Sequence, residues 1–304
     1  MSELFTLFFN NLFPILLAAA IGFALAKWVG VNPRPLSQVV FYVFSPVLVF
    51  NLIRNSQLSN QDILITLAFA LVLFLCIGIL TWLVGGALRL DRKTLAAVLI
   101  TAMFMNAGNY GLPLTSFAFG EQALAFASIF FVVNAMLTNT VGIVIASSGS
   151  TSVPRAIKGL IKFPAIYALT LGILFLQFNW QLPTGLDRSI TLLSNAAIPC
   201  MLVLLGMQLV NIRLDGHVRP LILTSSMRLL VAPALAFGLT KLFGMSGPAQ
   251  QAVILEAGMP VAVLTTILAP EFETEPTFVT TAVLVTTLLS PLTLTPLLAL
   301  LGAQ

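Results

Sequence analysis

Met105-Asn106-Ala107-Gly108-Asn109-Tyr110-Gly111-Leu112-Pro113 is the stretch on which the fold turns. It lies within an apolar run of helical length, yet places two Asn, two Gly and a Pro in the eight residues 106–113. Proline lacks an amide donor and clashes with the preceding turn, and glycine weakens a helix. A helix must therefore break here, freeing backbone carbonyls and amides. Lipid offers them no partners, so such a break survives only where protein or a wet cavity covers it. Glu256-Ala257-Gly258-Met259-Pro260 gives a second break, Glu256 standing 150 residues after Asn106. Interrupted spans in corresponding halves of a polytopic protein point to a binding site near the midplane.

The whole composition agrees with a bilayer setting. Of 304 residues, 59% are hydrophobic and 8% charged, against about 25% charged in soluble domains. This predicts an all-α integral membrane protein. The formal net charge of +4 reads as topology and gives no reason to expect a nucleic-acid partner. Cys76 and Cys200 fall in apolar spans without metal-like spacing, and His217 stands alone in a charged loop. Zinc, haem and Ser-His-Asp chemistry therefore lack a ligand set. The first apolar run, from Leu4, has only Glu3 ahead of it and no small-residue cleavage site, so it reads as a span rather than a leader.

At about 20 residues per crossing, ten transmembrane helices are expected. They fall near 4–28, 35–54, 62–88, 93–119 (broken), 121–147, 154–178, 187–211, 218–242, 247–270 (broken) and 276–301. The polar linker Ser147–Ser152 divides them into two five-helix halves, residues 1–150 and 151–304. The halves echo each other. Phe13-Pro14 with Gly22 matches Phe163-Pro164 with Gly172 at an offset of 150, and Ala107-Gly108 matches Ala257-Gly258 at the same offset. Pro46 matches Pro199 at 153.

Charge sets the orientation. Lys27, Arg34, Arg89, Arg92, Lys93, Arg155, Lys158, Lys162, Arg213 and Arg219 fall on one side, and Arg54, Arg188 and Lys241 on the other. The basic side should be cytoplasmic, which places both termini on the extracytoplasmic side of the cell (inner) membrane. Because five is odd, the second half enters inverted relative to the first. Inverted repeats are the symmetry of alternating-access carriers.

The half-helix that begins after each break offers free amides and a partial positive charge, which suit an anion. The half that ends before each break offers carbonyls, which suit Na⁺ or a proton donor. Asn106, Asn109, Tyr110, Gly111 and Pro113 from the first break, with Gly258, Met259 and Pro260 from the second, are the expected substrate contacts. Glu256 is the sharpest single residue, because a mid-bilayer carboxylate must be protonated, ion-bound or paired. Arg228, well inside a span, can pair with Glu256 or grip a substrate carboxylate, and both readings stay open. Asn134 and Asn139 are expected at the site. Thr138, Thr286, Thr287 and Ser290 read as hydrogen bonds between helices, and Pro46, Pro199 and Pro233 as kinks.

With these residues in view, Asn106–Pro113 resembles the N-terminal signature of the auxin efflux carrier family. Arg228-Leu229-Leu230-Val231-Ala232-Pro233 resembles that family's eighth helix. The likeness covers essentially the whole chain without a long cytoplasmic loop, as in a compact bacterial-type member. Glu256-Ala257-Gly258-Met259 is similar to the ninth-helix motif of bile acid–sodium symporters, a related fold shared with NhaA-type antiporters. There the Glu and the backbone after it bind Na⁺. By that likeness Glu256, Met259, Asn106 and Ser128 could line a cation site, but Pro260 replaces a Gln ligand, so proton coupling stays open.

The resemblance implies a scaffold of helices 1, 2, 6 and 7 and a moving core of 3–5 and 8–10. It also implies small organic anions as substrates (auxin-like acids, malate or malonate) and a homodimer through the scaffold. The leading expectation is a secondary transporter coupled to Na⁺ or H⁺, with no cofactor beyond that ion. A bile acid-type symporter, with an absolute Na⁺ requirement, is the nearest alternative. An intramembrane enzyme would need a nucleophile and base within the spans, and no His or Asp lies inside them, Asp62 and Asp187 standing at span ends. A sensor would usually bring a soluble output domain. No Gly-rich loop ending in Lys-Ser or Lys-Thr is present to bind ATP. Asn109→Ala and Glu256→Ala should each abolish uptake into vesicles while the protein elutes as a folded species on size exclusion. Full activity in both would remove the crossed-break site.

Overall fold

The computed structural model describes residues 3–147, 163–210 and 217–303. Its regular elements are helices: α1 Glu3–Val29, α2 Pro33–Arg54, α3 Asn60–Ala87, α4 Arg92–Met103, α5 Ala107–Ala146, α6 Pro164–Phe178, α7 Thr184–Gln208, α8 Val218–Leu242, α9 Gly247–Ala257, α10 Thr265–Glu271 and α11 Pro276–Leu300. Seven of them (α1, α2, α3, α5, α7, α8 and α11) are long and apolar enough to cross a membrane. The breaks are why α4, α9 and α10 are short. The central linker beyond Ser147, the start of the sixth span, and Arg155, Lys158, Lys162 and Arg213 lie outside the described residues.

Local chemistry explains the helix ends. Ser59 and Asp62 form a reciprocal capping box at the start of α3. Asp91 caps α4, accepting from the amides of Lys93 and Thr94 and from the Thr94 hydroxyl. Those bonds, the Thr94 hydroxyl first, hold the Asp91 carboxyl below its ordinary value. Within α5 the chain turns at Gly120, whose φ of +73° a side chain would resist. This is the junction between the fourth and fifth expected spans.

Prolines follow widened turns. Phe8–Leu12, Val40–Phe44, Ala107–Gly111 and Met227–Val231 are π-helical, and each ends two residues before a proline: Pro14, Pro46, Pro113 and Pro233. In each case the residue just before the proline donates its amide five residues back, as Leu112 does to Ala107. The wider ring accommodates the missing donor without ending the helix. Pro199 sits inside α7, which continues through it.

Two helix pairs pack almost backbone to backbone. In the first, α1 meets α7 where Gly22 faces the Val203 carbonyl and Gly206 faces the Ala19 carbonyl. In the second, α6 meets α2 where Gly172 faces Ile53 and the Phe50 carbonyl. An ion pair from Arg54 to Asp187 ties the end of α2 to the start of α7. Elsewhere α5 packs on α9, α3 on α4, and α8 on α9 and α11. One face of α3 carries Leu64, Leu71, Leu75, Ile79 and Trp82 outward, as a lipid-facing stripe does.

A Cβ at Gly206 would overlap the Ala19 carbonyl, and backbone cannot swing aside. Gly206→Ala should therefore lower the thermal midpoint in detergent, by about 1–3 kcal/mol of stability or more. Gly185→Ala, in the first turn of the same helix with open space around it, should leave the midpoint unchanged or raise it. Equal effects would show that the α1–α7 contact is not tight.

Candidate functional site

The two breaks cross. Phe104–Asn106 runs antiparallel to Pro260–Ala262, with Met105 opposite Val261. The Asn106 amide donates to the Pro260 carbonyl (2.8 Å), and the Ala262 amide to the Phe104 carbonyl (3.0 Å). A short ladder thus satisfies backbone groups that each helix lost by ending. Side chains from the two long neighbouring helices take the outward groups. On α5, Asn134 donates to the Met105 carbonyl (2.9 Å) and accepts from its amide (3.4 Å). On α11, the Thr286 hydroxyl accepts from the Val261 amide (3.1 Å).

Arg228 reaches the same place from α8 and is wholly buried. Its guanidinium donates to the carbonyls of Ala102 (2.7 Å), Met103 (3.1 Å) and Ala257 (2.6 Å). These are the last carbonyls of α4 and α9. Arg228 therefore caps two half-helices at once and forms no ion pair with Glu256, which closes that sequence-based alternative. Its Nε makes no hydrogen bond.

Glu256, in the last turn of α9, is also fully buried. One carboxylate oxygen accepts from the Thr115 hydroxyl at 3.5 Å, and Oε2 has no partner. The carboxylate lies directly on the Gly111 backbone, where a Cβ would come within 2.6 Å of Oε1. Gly111 and Thr115, one turn apart on α5, share the face that receives it.

Beside the crossing lies a cavity of about 130 Å³. Its walls come from α2 (Ser37, Ser45), α7 (Leu204, Gln208), α5 with its N-cap (Asn106, Asn109, Asn134, Thr138) and the chain leading into α10 (Ala262 to Leu264). Among the described residues no charged side chain lines it. The donors are amides and hydroxyls. Asn106 Nδ2 is buried without a hydrogen-bond partner, and Asn109 Nδ2 donates across the cavity to Gln208 on α7 (3.3 Å). The first amide to bond within α5 is that of Gly111, to the Asn106 carbonyl (3.0 Å). The amides ahead of it form the partially positive end of a helix.

Of the expected substrate residues, Asn106, Asn109 and Asn134 line the cavity. The others serve the crossing or lie outside the cavity wall. The Pro260 carbonyl is a ladder acceptor, and Gly258 and Met259 close the end of α9. Pro113 is buried in the first turn of the α-helix after the widened turn. Tyr110 is buried with its hydroxyl against Ser290 of α11 (3.2 Å). Asn139 donates to the Ala135 carbonyl and Ser128 to the Ala125 carbonyl, each within its own helix. Gln208, Ser37, Ser45 and Thr115 were not anticipated. Thr115 was recoverable as the i+4 neighbour of Gly111, whereas Gln208 looks like an ordinary polar residue at a span end.

A family of membrane transport proteins matches residues 7–298 of the chain. An "Uncharacterized transporter" of Methanothermobacter thermautotrophicus is 29% identical over 258 residues, covering 84% of each chain. One with the same description from Methanocaldococcus jannaschii is 30% identical over 270 residues, covering 85% of this chain and 86% of its own. A "Putative malonate transporter" of Rhizobium meliloti is 27% identical over 287 residues, covering 88% of this chain and 86% of its own.

Gly111→Ala should drive the Glu256 carboxylate off the α5 face, lowering the thermal midpoint by about 1–3 kcal/mol of stability. Adding Glu256→Ala should return part of that loss, since the side chain that clashes is gone. A double variant no more stable than Gly111→Ala alone would mean that the two groups do not meet.

Proposed function

Since the chain belongs to the membrane transport protein family, the auxin efflux carriers of the sequence resemblance, we propose that it is a secondary carrier of small organic anions working by alternating access. It is a multi-pass membrane protein. Its ten spans form two inverted halves, residues 1–150 and 151–304. Three exchanges support that symmetry. The contact of α1 with α7 is mirrored by that of α6 with α2, Met105 is paired with Val261, and Asn134 on α5 has Thr286 on α11 as its counterpart. In this reading α1, α2, α6 and α7 are the scaffold, and α3–α5 with α8–α11 the moving core. The charge bias places both termini outside the inner membrane. The stacked, exposed Phe5, Phe9 and Phe13 on α1 suit a homodimer through the scaffold.

The observation that carries the reading is Asn106, which lines a cavity walled by both scaffold and core and whose buried Nδ2 has no partner. A buried amide without an acceptor is costly, and a bound carboxylate would supply one. The neighbouring α5 N-terminus adds charge-assisted donors. The bond from Asn109 to Gln208 crosses the same boundary, so substrate seated there would report to both bodies at once. The relative described by its malonate name makes a small dicarboxylate the first class to test. Glu256 is the coupling group, taking up a proton or Na⁺ on its free oxygen.

Thermal midpoints of the purified protein should rise with malonate, malate or an indole carboxylate, by mass action on the native state. Asn106→Asp, which sets a carboxylate in the cavity, should abolish the shift. A protein stabilised by none of these acids, or an Asn106→Asp variant that still responds fully, would overturn the organic-anion reading.

A further inference from the structure

We infer that the Arg228 guanidinium is a built-in cation, occupying the position at the helix crossing where a coupling Na⁺ would otherwise bind, so that this carrier takes no Na⁺ between the two half-helix ends. The inference rests on the carrier reading for its meaning, and on the geometry alone for its evidence. A helix C-terminus carries roughly half a negative charge on its free carbonyls. Two such ends, those of α4 and α9, meet at one point, so together they present about one negative unit to be balanced in a medium of low dielectric. A single monovalent cation balances it.

Arg228 supplies that cation. It is wholly buried. Its two terminal nitrogens reach three carbonyls at 2.6–3.1 Å, two from one half-helix and one from the other. Guanidinium keeps its proton in proteins and donates in a planar fork, which lets one side chain bridge two helix ends. A Na⁺ seated between these two helix ends would need the carbonyls of Ala102, Met103 and Ala257, and Arg228 already holds them. The hydrogen-bond partner of Glu256 is Thr115, at 3.5 Å, while the Ser128 hydroxyl is engaged with its own helix. Pro260, which follows in the chain, has a side chain that offers no oxygen. These residues do not fit Na⁺. Glu256 Oε2 is left as the exchangeable position, and it suits a proton. Arg228 itself is a positioning residue that fixes the ends of both half-helices and the charge between them.

The test uses purified full-length protein and reads cation specificity, which a merely structural arginine would not set. In wild type, exchanging choline chloride for NaCl at constant ionic strength should leave the thermal midpoint unchanged. Arg228→Lys keeps a cation and should be equally indifferent. Arg228→Met removes the charge at similar length, and its lowered midpoint should be raised saturably by Na⁺ or methylguanidinium and not by choline. A saturable, Na⁺-specific rise in wild type would overturn the inference, as would an Arg228→Met protein that responds to neither ion. Should Arg228→Met fail to purify, the wild-type and Arg228→Lys titrations decide. None of these readings requires the organic anion, so a protein stabilised by none of the organic acids would sink the organic-anion reading and leave this one standing.

Discussion

The constraint on which the structure depends is that a backbone interrupted inside a bilayer must find its hydrogen bonds in protein. Breaking two helices exposes two sets of carbonyls and two sets of amides, each costly to leave bare where water is absent. The chain meets this by laying one break across the other. The ladder between Phe104–Asn106 and Pro260–Ala262 satisfies the inner groups. Asn134, Thr286 and Arg228 satisfy groups that point away from it. Two more helices, α8 and α11, and the far half of α5 are thereby bound to the crossing, so the position of the cavity is set by hydrogen-bond accounting more than by side-chain packing.

Much of this was legible in the sequence, because breaks in lipid have few possible causes. The Asn-Gly-Pro cluster at 106–113 and the Gly258-Met259-Pro260 triplet located both interruptions, and among the described residues helix ends fall within a few residues of those expected. The site was legible only in part. Asn106 and Asn109 were found because polar residues at a break stand out, whereas Gln208 comes from a scaffold helix whose contact is set by long-range packing. Arg228 was singled out as the basic residue within a span, but its partners could not be read. Backbone carbonyls carry no sequence signal, so an arginine that binds them looks like an arginine waiting for a carboxylate. Asn134 illustrates the opposite confusion: it lies in the cavity wall, yet both of its polar atoms are spent on Met105.

The electrostatics of the cavity follow from the same economy. Among the described residues its wall contains amides, hydroxyls and a helix end, with no formal charge, while the buried guanidinium and carboxylate sit in the framework beside it. Dipoles attract an anion without binding it as an opposite charge would, and a carrier must release its cargo as well as hold it. The close glycine contacts of α1 on α7 and α6 on α2 give the facing wall a rigidity that long side chains would not.

The widened turns ahead of Pro14, Pro46 and Pro233 have an effect on rotational phase. Each inserts one residue into a helix without lengthening it by a full turn, so everything beyond the proline is rotated by about 100° relative to an uninterrupted helix. The apolar stripe before the bulge and the one after it therefore belong to different angular sectors, and a single helical wheel drawn through the span would mix lipid-facing with buried positions. The bulge also gives evolution a place to add or remove one residue inside a membrane helix while both loops stay where they are. Relatives of this chain should accordingly tolerate single-residue gaps just upstream of these prolines, in the middle of spans where alignments ordinarily forbid them.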